Sequence, residues 1–116
     1  MPPLNLLLLE DSEADAHLIV HQLQYGGFEV QWKRVETEQD YRAYLNPELD
    51  VILADYNVPP FSGLEALEIL NQTGLDIPLI IVSGFLGEDI AVTAMKLGAF
   101  DYLLKDRLDR LPQTIG

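Results

Sequence analysis

Residues 51–55 read Val-Ile-Leu-Ala-Asp, a short apolar run that ends in a carboxylate. An apolar run of this length, without polar alternation, is typical of a strand that is buried on both faces of a parallel sheet. Residues 5–11 repeat the pattern as Asn-Leu-Leu-Leu-Leu-Glu-Asp. Two buried strands with acidic ends are therefore predicted, and the rest of the chain can be placed around them.

Segments with helical features separate the predicted strands. Residues 12–15 read Ser-Glu-Ala-Asp and resemble a capping box, which predicts a helix from there to Gly26-Gly27. Further helices are predicted to begin near Thr37, Leu64 and Glu88. Three more strands are predicted, one at residues 28–32, where apolar and polar residues alternate, and two at the short apolar runs 78–82 and 102–104.

Strands that alternate with helices indicate a doubly wound α/β fold, with a five-stranded parallel sheet joined by right-handed crossovers. The last helix is expected to be short or truncated. Leu108, Leu111 and Ile115 have apolar helical spacing, but Pro112 is expected to interrupt the helix. We expect a single domain over residues 1–116, cut from a longer multidomain protein.

Composition and charge narrow the class of protein. The apolar runs are far shorter than the roughly 20 residues needed to cross a bilayer, so no membrane association is expected. Cysteine and a secretory signal are absent from the 116 residues, which favours a cytoplasmic location. A net charge of −12 disfavours direct binding to nucleic acid.

Polar side chains follow the predicted strands at their carboxyl ends. Glu10 and Asp11 follow the first strand, Asp55 the third, Ser83 the fourth and Lys105 the fifth. Ligands of open parallel sheets bind at this edge. Crowded carboxylates require a raised pKa or a bound cation, and oxygen ligands favour Mg²⁺ over zinc. The lysine and the hydroxyl can bind phosphoryl oxygens, so the pattern predicts phosphoryl transfer.

Four segments together resemble the response regulator receiver family of two-component signalling. They read Leu-Leu-Glu-Asp (8–11), Asp-Tyr-Asn-Val-Pro (55–59) with Gly63, Ile-Ile-Val-Ser-Gly (80–84) and Tyr-Leu-Leu-Lys (102–105). The resemblance covers essentially the whole chain. It implies a flavodoxin-like strand order, 2-1-3-4-5.

The resemblance also implies a role for each site residue. Asp55 is the expected phosphoacceptor, with Mg²⁺ held by Asp11, by Asp55, by the main-chain carbonyl of Asn57 and, through water, by Glu10. Ser83 and Lys105 are expected to bind the phosphoryl oxygens.

The family resemblance further implies a conformational switch and a set of partners. Ser83 and Tyr102 are the expected switch pair, although Tyr102 is equally well explained as an aromatic residue packed on the last helix. A histidine kinase or a histidine phosphotransfer protein of a phosphorelay is the expected phosphodonor. A fused kinase or output domain and a homodimer are arrangements that the family allows. The domain is expected to signal rather than to turn over a substrate, while taking part in its own phosphorylation and dephosphorylation.

Several features leave alternatives open. Asp106 stands where the family commonly has proline, so a trans peptide bond is expected after Lys105. A receiver-like interaction module that works without phosphorylation is one alternative function, and a small Mg²⁺-dependent phosphatase is a weaker one. His17 and His21 have a spacing that can clamp a metal, but a solvated or kinase-docking face explains them better.

Overall fold

The computed structural model describes residues 3–56, 61–84 and 88–115. Within these ranges five parallel strands form one sheet in the order β2-β1-β3-β4-β5. The strands are β1 (Pro3–Leu9), β2 (Glu29–Val35), β3 (Val51–Asp55), β4 (Leu79–Ser83) and β5 (Asp101–Leu104). The doubly wound α/β fold and the strand order expected from the resemblance are confirmed.

Four helices connect consecutive strands, a fifth follows β5, and together they cover both faces of the sheet. They are α1 (Glu13–Tyr25), α2 (Glu38–Tyr44), α3 (Gly63–Thr73), α4 (Glu88–Lys96) and α5 (Leu111–Ile115). A 3-10 turn over Lys105–Arg110 joins β5 to α5. The longest helix, α1, has 13 residues, and no helix within the described ranges has the length and apolar character needed to cross a membrane.

The strand register brings the carboxyl ends of the strands to one level. Leu9 is paired with Ala54, Asp55 with Val82, and Ser83 with Leu104. Each polar residue that ends or follows one of these strands therefore lies beside the end of a neighbouring strand. This parallel register is what assembles a polar site from distant parts of the chain.

The core has two layers because alternate strand side chains point to opposite faces of the sheet. Leu7, Leu9, Ile52 and Ile81 pack with the buried side chains of α2 and α3 on one face. The other face packs against α1 and the C-terminal segment through these buried residues: Leu6, Leu8, Ala16, Ile19, Leu23, Leu53, Ile80, Leu108 and Leu111. Burial of both sheet faces explains why β1, β3 and β4 are continuous apolar runs.

The C-terminal segment differs from the expectation in one respect. Pro112 does not interrupt the last helix, because α5 begins at Leu111 and the proline lies in its first turn. Proline is tolerated there, since the first turn needs no intrahelical bond from that nitrogen. Leu108, upstream of α5, lies buried in the 3-10 turn instead. The expected short last helix is confirmed, with five residues.

Substitution of Gly26, which follows α1, tests this C-terminal packing. A Cβ atom at Gly26 would lie 2.4 Å from Cβ and 2.5 Å from Cγ of Pro112, whose ring is rigid. We expect Gly26→Ala to lower the free energy of unfolding by about 1 to 3 kcal/mol, as overpacking does. Urea unfolding measures it. Gly84→Ala is the matched control, since a Cβ there meets nothing within 4 Å. Equal stability of the two variants would contradict the prediction.

Candidate functional site

The predicted site residues that the structure describes meet at the carboxyl edge of the sheet. Glu10 follows β1, Asp55 ends β3, Ser83 ends β4 and Lys105 follows β5. Glu10, Asp55 and Ser83 are the buried polar residues of the described ranges, whereas Asp11 is exposed. The edge thus combines three buried polar side chains with one exposed carboxylate, that of Asp11. Asn57 lies outside the described residues.

The Lys105 ammonium lies at the centre of three carboxylates. Its Nζ is 3.0 Å from Oε2 of Glu10, 3.0 Å from Oδ2 of Asp55 and 2.6 Å from Oδ2 of Asp15. Burial lowers the pKa of Lys105, but the contacts with Asp15, Glu10 and Asp55 raise it by more, so the net change is upward. The side chain is therefore a fixed cation at neutral pH.

Asp15 is a member of this cluster that sequence reasoning missed. Its backbone N–H donates to Oγ of Ser12 at 3.2 Å, as the predicted helix start requires. In a capping box the acid would also accept from the Ser12 N–H, but that N–H donates to Oε1 of Glu10 at 3.1 Å. The Asp15 carboxylate binds Lys105 instead. An acidic residue in the first turn of a helix is already explained by its role at the helix start. The sequence therefore carried no sign that Asp15 contacts Lys105, 90 residues further along the chain.

Glu10 has several polar contacts, and burial makes its ionised form less stable. Burial raises the pKa of Glu10, and the contacts with Lys105 and the Ser12 N–H offset only part of that effect, so the net pKa is about 7. Oε2 of Glu10 lies within ion-pair distance of the Lys105 ammonium. Among the buried side-chain polar atoms of the described ranges, it is the one without a well-aligned hydrogen bond. The Glu10 carbonyl oxygen accepts from Nη1 of Arg34 at 3.2 Å. Arg34 also pairs with Glu13 and Glu36.

The acidic residues at this edge can hold a metal ion. Glu10, Asp11 and Asp55 each offer a carboxylate oxygen, and these oxygens lie within 4.8 Å of one another. An all-oxygen donor set with an open side suits a hard cation such as Mg²⁺, which keeps bound waters. Such a water could donate to the unsatisfied Oε2 of Glu10. The residues present therefore fit a divalent hard cation.

The two histidines of α1 lie apart from this acidic group. Across the described residues, no cluster of three metal-ligating side chains includes His17 or His21. Both histidines are exposed, and the His17 ring meets the edge of Trp32 at a centroid distance of 5.5 Å. These observations favour the solvated or docking face over a metal clamp.

The two expected switch residues lie next to the site, on β4 and β5. Ser83 is buried at the end of β4, and Tyr102 is partly buried on β5. Tyr102 packs against the core layer that contains Ala94 of α4, whereas Leu108 and Leu111 belong to the opposite layer. Tyr102 therefore packs with the core layer opposite to the one that contains the last helix. The side-chain alternation along β5 directs it to the other face of the sheet.

Comparison with known proteins agrees with this geometry. A family model for the response regulator receiver domain matches residues 6–115. Regulatory protein VirG of Agrobacterium fabrum is 35% identical over 105 residues, which cover 90% of this chain and 41% of that protein. The chain thus spans less than half the length of this relative.

Two solved structures are also similar. The Mn²⁺-bound form of response regulator Rcp1 has a TM-score of 0.79 and 28% identity, with 97% of this chain and 91% of that chain covered. The phosphorylated cyanobacterial phytochrome response regulator RcpA has a TM-score of 0.78 and 29% identity, with 98% and 89% covered. The fold, the acidic edge with its lysine and the match over residues 6–115 together establish that the chain belongs to the response regulator receiver domain family.

Proposed function

We propose that this domain accepts a phosphoryl group on Asp55 from a phosphohistidine, with Mg²⁺ bound beside it, and changes conformation in response. The observation that carries the proposal is the contact of Lys105 Nζ with Asp55 Oδ2 at 3.0 Å, beside a group of oxygens that can hold a metal. A buried carboxylate that is paired with a fixed cation at the open edge of a sheet is placed to act as a nucleophile.

The transfer would be a displacement at phosphorus. An Asp55 carboxylate oxygen forms the new P–O bond while the P–N bond to the donor histidine breaks, and the leaving imidazole nitrogen takes the electron pair. Lys105 and Ser83 would bind phosphoryl oxygens and stabilise the developing charge. Glu10, Asp11, Asp55 and the Asn57 carbonyl would hold Mg²⁺. When bound, the ion supplies further neutralisation of phosphoryl charge.

The conformational response would start at Ser83 and Tyr102. A phosphoryl group adds about one further negative charge and several strong acceptors beside Lys105, by analogy with phosphoserine. Ser83 can turn its hydroxyl toward those acceptors. Tyr102, on the neighbouring strand, packs against the layer of α4, so a shift at Ser83 could reach this layer.

The partners belong to the same proposal. A histidine kinase or a histidine phosphotransfer protein would supply the phosphoryl group in the cytoplasm, and a fused kinase or output domain would receive the signal. The similarity to a regulatory protein of which the chain spans 41% supports a multidomain setting. The Mn²⁺-bound and phosphorylated relatives support the metal and the modification.

Phosphorylation by a small donor tests the central claim. We expect incubation with acetyl phosphate and Mg²⁺ to add one phosphoryl group, detected by intact mass, because Asp55 is paired with Lys105 and close to the metal ligands. The adduct should be absent in Asp55→Asn and when a chelator is present. An unmodified parent chain would favour the phosphorylation-independent interaction module, and an adduct that persists in Asp55→Asn would place the acceptor elsewhere.

The raised pKa of Glu10 predicts a pH-dependent stability. The metal-free folded state retains a proton on Glu10 up to about pH 7, whereas the unfolded state loses it near 4.5, so stability falls as the pH rises between these values. Glu10→Gln should remove this fall and stabilise the metal-free domain at pH 8 by on the order of 2 kcal/mol. Urea unfolding with a chelator, at several pH values, measures it. A stability difference between variant and parent that is independent of pH would contradict the prediction.

The switch predicts where amide exchange changes. On phosphorylation we expect altered hydrogen exchange in residues 88–104, because Ala94, Leu97 and Ala99 belong to the core layer of Tyr102 and β5 pairs with the strand that ends in Ser83. Hydrogen exchange with mass spectrometry measures it, with acetyl phosphate and Mg²⁺ added to Asp55→Asn as the control. Exchange that is unchanged in this range while the parent is fully phosphorylated would argue against the switch.

A further inference from the structure

Asp15 is the partner of Lys105 that lies outside the metal-ligating group. The other two carboxylates that contact the ammonium, on Glu10 and Asp55, also belong to the set of oxygens within 4.8 Å of one another. Asp15 contacts the ammonium at 2.6 Å, the shortest of the three distances. One carboxylate thus binds the lysine without offering a ligand to that metal group.

The lysine and a divalent cation would share the same two carboxylates, those of Glu10 and Asp55. The ammonium is 3.0 Å from Oε2 of Glu10 and 3.0 Å from Oδ2 of Asp55. A metal bound to these carboxylates would be repelled by an ammonium that keeps both contacts, because like charges a few ångströms apart repel strongly in a partly buried site. An anionic partner for Lys105 outside the metal-ligating group would therefore favour Mg²⁺ binding.

We propose that Asp15 is a positioning residue that holds the Lys105 ammonium when Mg²⁺ occupies the Glu10 and Asp55 carboxylates, and so raises the affinity of the site for Mg²⁺. The inference rests on the proposed function, since it assumes that Mg²⁺ binds there. It assigns to this chain a fourth carboxylate that supports metal binding without ligating the metal.

The local structure suits this role. Asp15 lies in the first turn of α1, where its backbone N–H is fixed by the Ser12 side chain. The next residue, Ala16, is fully buried in the core layer beneath α1, so the helix start is anchored to the sheet. The Asp15 side chain is 38% exposed, against 1% for Glu10. A carboxylate that keeps water on one side holds an ammonium without the full cost of burial.

Charge removal at Asp15 should weaken Mg²⁺ binding. We expect Asp15→Asn to raise the dissociation constant for Mg²⁺, measured by isothermal titration calorimetry without any phosphodonor, by roughly two- to fivefold, the range for a partly exposed ion pair. Glu13→Gln is the matched control, because it removes one negative charge from the same turn of α1. The Glu13 side chain contacts Arg34 rather than Lys105. It should change the constant by less than Asp15→Asn does. Asp15→Glu, which keeps the charge, should restore affinity.

A Lys105→Met background tests whether the effect passes through the lysine. With the competing ammonium removed, Asp15→Asn should change Mg²⁺ affinity no more than Glu13→Gln does, so the double-mutant cycle isolates the coupling between Asp15 and Lys105. An Asp15→Asn effect of the same size with and without Lys105 would overturn the inference. So would equal effects of Asp15→Asn and Glu13→Gln in the parent.

The proposed function and this inference fail in different ways. A parent chain that binds no Mg²⁺ would overturn both. A parent that binds Mg²⁺ and is phosphorylated on Asp55, while Asp15→Asn binds Mg²⁺ as tightly as the parent, would overturn the inference alone.

Discussion

The contact between the Lys105 ammonium and two buried carboxylates is the interaction on which this site depends. Glu10 and Asp55 are both almost completely buried, and two carboxylates so close together in a poorly solvated place repel each other. Lys105 offsets that repulsion from the end of another strand. The charge balance is therefore a property of the assembled sheet and cannot form within any single segment of the chain.

Hydrophobic burial of the apolar strands offsets the free-energy cost of placing acidic side chains at the strand ends. The leucines of β1 and the apolar residues of β3 are buried on both faces of the sheet, and their hydrophobic burial stabilises the domain enough to hold acidic side chains at the strand ends. The parallel register then sets the level of those ends. Core and site are built by the same strands, so a change of register would disrupt both.

The sequence predicted the parts of the site that follow from strand ends. Glu10, Asp55, Ser83 and Lys105 each terminate or follow an apolar run, and runs in a parallel sheet end at one edge. Asp15 could not be predicted, because a helix-start acid is fully explained by its local role. The face on which Tyr102 packs and the placement of Pro112 also depended on tertiary packing, which short-range spacing does not encode.

The order of the strands also determines how firmly each charge is anchored. The carboxylates of Glu10 and Asp55 belong to β1 and β3, which have a hydrogen-bonded neighbour on both sides, whereas Lys105 follows β5, a four-residue border strand with a single neighbour. Displacing a border strand breaks one ladder of hydrogen bonds rather than two. The two buried carboxylates therefore follow central strands, whereas the cation follows an edge strand whose displacement breaks fewer hydrogen bonds.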